Sequence, residues 1–178
     1  TTATLDLPFL ELASFGALTH DQNSQTEVDL DYSFTVEDGF GGSISSFDNF
    51  QTLAKESVNL VTLLGGVAGN LVVGLRALSG TGGDVILQLE DANEKKSRIL
   101  LKEIVAGAER FYALNPTTDF VGLDLTKITA IVLLLEEDRI LGGLLPKTGS
   151  LQVHLGLHPL FKNRTHDPLL TTAPLDLP

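Results

Sequence analysis

The segment TEVDLDYSFTVEDG, residues 26–39, alternates without a break. Val28, Leu30, Tyr32, Phe34 and Val36 take one face, while Glu27, Asp29, Asp31, Ser33 and Thr35 take the other. A period of two is a strand with one face in a core and one in water. Further runs of strand length follow: SVNLVTLL (57–64), NLVVGLRAL (70–78), DVILQLED (84–91), SRILLKE (97–103), ERFYAL (109–114), ITAIVLLLEE (128–137) and SLQVHLGL (150–157). Turn residues separate nearly all of them, with GGVAGN and SGTGGD as breaks and DANEKK as a hairpin loop.

Leucine is frequent enough that 53–64 and 123–137 can also be read as helices. The strand reading is preferred. The first lacks a clean i, i+3, i+4 stripe, and Ile128, Ile131, Val132 and Leu133–Leu135 form the continuous apolar run of a central strand. One helical turn is expected over Asp124–Lys127, with Asp124 as its N-cap. The expected class is all-β: a two-sheet β-sandwich of jelly-roll type with at most one or two short helical turns.

Composition narrows the function. The chain of 178 residues is 43% hydrophobic and carries a net charge of -11, so it can bury a core, and it lacks the basic patch that nucleic acid or an anionic membrane requires. Cysteine is absent, which removes disulfides and thiolate zinc sites. No run reaches the roughly 18–20 apolar residues of a membrane span. Methionine is absent too, so Thr1 is expected not to be a translation start.

In order, GGSISSFDNF, DVILQLEDANEKKSRILL, ERFYALN and VGLDLTKITAIVLLLEE resemble the galactose-binding-like jelly rolls of bacterial carbohydrate-binding modules. The likeness covers roughly residues 40–137. It implies that fold, placement in a large and repetitive extracellular protein, and either glycan binding or a purely structural role. Sugar-binding faces need aromatic platforms, yet the chain has no Trp and only Tyr32 and Tyr112. Tyr32 falls on the core face of its strand, and of Phe111 and Tyr112 one must point outward, with sheet packing the expected role.

Asp21, Asn23, Glu27, Asp29 and Asp31 are candidate calcium ligands, since calcium takes several oxygens. Alternate strand residues stand about 7 Å apart, so a solvated acidic face is the preferred reading. His154 and His158 would form a metal pair only on a helix; on a strand they lie about 13 Å apart. His20 and His166 fall in polar loops. LPKTG at 145–149 resembles a sortase signal but is read as a hairpin turn, and Asn163 begins a formal glycosylation triplet. No triad, paired carboxylates or phosphate loop is recognisable, so the expectation is a non-enzyme without cofactor.

One feature stands outside the sandwich. TTATLDLP (1–8) and TTAPLDLP (171–178) share seven of eight residues at an offset of 170. Thr1, Thr2, Ala3, Leu5, Leu7 and Pro8, with Thr171, Thr172, Ala173, Leu175, Leu177 and Pro178, are therefore candidate junction residues. The expected organisation is a terminal strand (1–8), a sandwich (9–158) and a linker or exchanged strand (159–178). The leading expectation is a structural unit of an extracellular filament or cell-surface fibre, whose partners are copies of itself joined head to tail by β-strand addition. The rival is a glycan-binding module.

Overall fold

The computed structural model describes residues 11–23, 27–46, 57–67, 69–157 and 172–174. In chain order the elements are β1 (Glu11–Gly16), β2 (Leu18–Gln22), β3 (Glu27–Phe34), β4 (Phe40–Ser46), α1 (Leu60–Leu63), β5 (Leu71–Ser79), β6 (Gly83–Asp91), β7 (Lys96–Ile104), β8 (Glu109–Leu114), α2 (Pro116–Asp119), β9 (Ile128–Glu136), β10 (Lys147–Leu157) and β11 (Thr172–Pro174). A 3₁₀ turn, Glu137–Arg139, follows β9. Two antiparallel sheets result. Sheet A has the order β1-β4-β9-β6-β7-β11 and sheet B the order β2-β3-β10-β5-β8. This is the jelly-roll sandwich that the strand pattern predicts.

The core lies between the inner faces. Sheet B contributes Val28, Leu30, Tyr32 and Phe34 from β3 with Leu71, Val73 and Leu75 from β5. Sheet A contributes Leu87 and Leu89 from β6, Ile99 and Leu101 from β7, and Ile131, Leu133 and Leu135 from β9. The alternation read in residues 27–34 is thus the observed one. Its polar face carries Glu27, Asp29 and Asp31 outward, paired in register with His154, Gln152 and Ser150 of β10.

Three expectations are corrected. Residues 57–64 are not a strand: Val58 makes one bridge to Ile128, and Leu60–Leu63 then coil into α1. Asn59 caps this turn by accepting the Thr62 amide at 3.1 Å, and Gly65 and Gly66 at positive φ end it. Such a short helix has no period to read. Asp124–Lys127 is a turn instead of a helix; the Asp124 carboxylate accepts the Thr126 amide at 3.1 Å, which satisfies the backbone locally. Lys147–Gly149 of LPKTG are not a turn but the start of β10.

SGTGGD crosses between the sheets, connecting β5 of sheet B to β6 of sheet A. Gly82 and Gly83 have φ of +78° and +152°, and a Cβ on either would lie 2.1 Å from the Ile104 carbonyl oxygen or 2.3 Å from that of Arg139. Only glycine permits both the backbone conformation and the close approach.

At the other end, the buried Asp91 closes the β6–β7 hairpin. One carboxylate oxygen accepts the Asn93 and Lys95 amides at 2.9 and 3.0 Å, and the other accepts the Asp124 amide at 2.9 Å. Burial alone would push this carboxyl up, but three backbone donors and nearby Lys95 prevail and hold it below the usual carboxylate range. Its contribution is therefore complete above the unfolded-state value and lost as pH falls through the lower native one. Asp91→Asn leaves an amide group where Asp124 needs an acceptor, so melting at pH 7 should drop by several degrees, for a cost of about 1–3 kcal/mol. The gap between wild type and variant should narrow in scans below about pH 4; a constant gap refutes the electrostatic part.

Candidate functional site

The outer face of sheet A carries an open cavity of about 460 Å³. Registers place its lining in rows that run across the strands. Ile44, Val132, Gln88 and Arg98 pair successively along β4, β9, β6 and β7, while Glu90 pairs with Lys96 and Phe40 with Glu136. Asp38 and Asp138 join the lining from the segments flanking β4 and β9. From β1 to β7 there are four inter-strand steps, a length of about 19 Å at the usual strand spacing. The site is thus a groove crossing the strands, long enough for an oligomeric ligand.

Its two ends differ chemically. At the β1–β4 end Phe15 and Phe40 meet edge to face, with ring centroids 6.2 Å apart and planes at 64°. Gly42 makes this possible, because a Cβ there would fall 2.4 Å from Cζ of Phe15. The Phe15 ring therefore lies on bare backbone, while Phe40 stays 60% exposed.

At the β6–β7 end the polar side chains order one another. Nε of Arg98 donates to the Gln88 carbonyl oxygen, the Gln88 amide donates to Glu90 at 2.7 Å, and Lys96 pairs with Glu90 at 3.4 Å. Gln88 is only 3% exposed, so it acts as a fixed strut that aims the guanidinium.

The rim is pinned from beneath. Nζ of Lys147 donates to the Glu137 and Ile140 carbonyls, both at 3.0 Å, and pairs with the Glu137 carboxylate at 2.9 Å. The second Glu137 oxygen accepts the Asp38 amide at 3.2 Å. The Lys147 hydrogen bond lowers the Glu137 carboxyl from its usual range; burial opposes this, and the Asp38 amide and the Lys147 charge add to it. One ammonium thereby fixes both segments that carry Asp38 and Asp138.

The sequence candidates lie elsewhere. Asp21, Glu27, Asp29 and Asp31 stand on the outer face of sheet B. Glu27 meets Nε2 of His154 at 2.9 Å, Gln152 donates to Glu27 at 3.1 Å and to Asp29 at 3.3 Å, and Ser150 donates to Asp31. Asn23 donates to Glu27 at 3.2 Å. Among the described residues no group of three or more His, Asp or Glu side chains could hold a metal ion. His20 contacts Ser14 at 2.9 Å. Phe111 does point outward, opposite Gly74, and Tyr112 points into the core, yet both are buried.

Of the junction residues, Thr172 and Ala173 belong to β11, paired antiparallel with Leu101 and Leu100 of β7. Thr1, Thr2, Ala3, Leu5, Leu7, Pro8, Thr171, Leu175, Leu177 and Pro178 lie outside the described residues, as do His158, Asn163 and His166. The groove residues were missed by sequence reading. The usable signals were Gln88, a polar residue inside an apolar strand, and Phe40 followed by two glycines.

The architecture is that of a jelly-roll β-sandwich. No family model matches the sequence, and no curated protein does. Solved structures share the fold. A family 30 carbohydrate-binding module is similar over 93% of this chain and 86% of its own, at 14% identity and a TM-score of 0.52. A family 11 module from Clostridium thermocellum, in complex with a beta-1,3-1,4-mixed-linked tetrasaccharide, aligns over 86% and 93% at 12% identity and 0.50. An exo-beta-agarase aligns over 93% of this chain at 9% identity and 0.59, and there the chain spans only 25% of the other protein. For another agarase, AgWH50C, the share is 26%.

Gly42→Ala should displace Phe15 and break its edge contact with Phe40. The check is loss of the ring-current shifts between the two rings by NMR, together with a fall in stability of about 1–3 kcal/mol, as for overpacking. Retained shifts would show that β4 yields instead.

Proposed function

We propose that this chain is a carbohydrate-binding module of a secreted multidomain protein and that the sheet A groove holds its glycan. The observation carrying this reading is the groove itself, an exposed phenyl shelf at one end and a pre-aimed Arg98–Gln88–Glu90–Lys96 row at the other. Its volume falls in the range of ligand sites, and its mix of apolar floor and few ordered polar groups is what such sites use. Phe40 stacks on the apolar face of a pyranose, and Arg98 and the carboxylates exchange hydrogen bonds with its hydroxyls. The shared fold of the family 11 and family 30 modules supports the assignment. The module binds and does not react: its best-ordered polar side chains brace one another as a recognition surface. Among the described residues no helix is long and apolar enough to cross a membrane.

Calorimetry against mixed-linkage glucan and agarose oligosaccharides tests this. Binding to one of them should weaken about tenfold or more in Phe40→Ala, since burying one aromatic side chain contributes about 1.5–3 kcal/mol. Arg98→Ala should weaken it likewise, and Val121→Ser, at an exposed residue outside the groove lining, should not. Heats indistinguishable from dilution for every glycan would end the proposal.

A second reading is supported by β11. Thr172–Pro174 occupies part of the β7 edge, and the other octapeptide is nearly the same. In this reading copies of the chain join head to tail by exchanging that strand, as units of a fibre. Light scattering on a chain lacking residues 171–178 discriminates. Oligomers of the full chain that this deletion abolishes favour exchange, and an assembly state unchanged by the deletion rejects it.

A further inference from the structure

A second cavity lies at the end of the sandwich beside the β5–β6 crossing. It measures about 180 Å³, and its walls include Tyr32, Thr81, Leu141, Leu144, Pro146 and Thr148. It shares no lining residue with the groove. The 137–141 segment that Lys147 pins contributes Asp138 to the groove and Ile140 and Leu141 to this cavity.

Tyr32 makes this cavity unusual. The residue is 3% exposed, its ring lies 5.9 Å from Phe34, and its hydroxyl has no hydrogen-bond partner. Leaving a buried hydroxyl unpaired is costly, and a phenylalanine would fill the same core position without that cost. The backbone also makes room for the hydroxyl. A Cβ on Gly80 would fall 2.5 Å from it, and one on Gly149 2.4 Å. Burial raises the Tyr32 pKa, so the group stays a protonated donor.

The rest of the lining specifies what such a donor meets. Lys147 is the cavity's charged residue, and its ammonium is already taken by Glu137 and Ile140. The hydroxyl of Thr81 donates to the Leu141 carbonyl and keeps lone pairs for accepting. Leu144 and Leu141, 87% and 57% exposed, form an apolar lip. A cavity of about 150 Å³ takes one benzene ring, so this one takes a single ring of similar size.

We propose that the Tyr32 cavity is a second ligand site that accepts one neutral, hydroxyl-bearing ring, a single pyranose unit, held by a hydrogen bond from the Tyr32 hydroxyl. Neutrality follows from the committed ammonium. The apolar lip meets the ring face, and Thr81 and Tyr32 meet its hydroxyl edge. The site does not depend on the groove binding anything.

The test is an amide NMR titration of the full chain with D-glucose and, separately, D-galactose. One of them should shift the amides of Gly80, Thr81, Gly142 and Thr148. Tyr32→Phe should weaken that binding about three- to tenfold, the effect of one hydrogen bond, while melting at the same temperature or higher. Leu144→Glu, at the exposed lip, should weaken it without changing stability, and Phe40→Ala should leave it intact. No shift at these amides with either sugar overturns the proposal. So does a Tyr32→Phe titration equal to wild type, or loss of these shifts in Phe40→Ala.

Discussion

Strand β9 sits between β4 and β6, so its nine residues satisfy two neighbours along their edges and two environments on their faces. Ile131, Leu133 and Leu135 fill the core, while Val132, Leu134 and Glu136 line the groove. A slip of one residue against either neighbour would exchange the two sets. Core formation therefore selects the register, and the register sets the groove. The same inward alternation that drives folding aligns Ile44, Val132, Gln88 and Arg98 across four strands.

Two electrostatic clasps hold the ends of this arrangement. Asp91 gathers three backbone amides from the β6–β7 hairpin and the turn before β9. Lys147 gathers three oxygens from the turn after β9. Each places one charge where several loop groups would otherwise lack partners. The turns leading into and out of β9 are thus fixed by side chains reaching from other strands.

Much of the fold could be read from the chain, and the reason is physical. Strands β3 and β5–β10 announce themselves by alternation or by continuous apolar runs bounded by glycine or turn residues. Strands β1, β2 and β4 do not. ELASFG and LTHDQ are short, and FGGSISS has two glycines where strand formers are expected; tertiary pairing holds all three. Leu60–Leu63 failed as a reading because four residues, barely one turn, carry no period. The groove was less legible still. Gln88 and Arg98 stand out as polar residues in apolar strands, but Phe15 and Phe40 meet only after β1 has paired with β4, and no local pattern encodes that meeting.

Sheet A ends in β11, which covers Ile99–Leu101 of the nine residues of β7. Its last residue is Pro174, and proline has no amide hydrogen to offer a further strand on either side. An apolar, strand-rich chain is at constant risk of stacking sheet on sheet without limit. Among the described residues, Thr172–Pro174 thus satisfies part of the β7 edge and carries at its end a residue that cannot donate a hydrogen bond to a further strand.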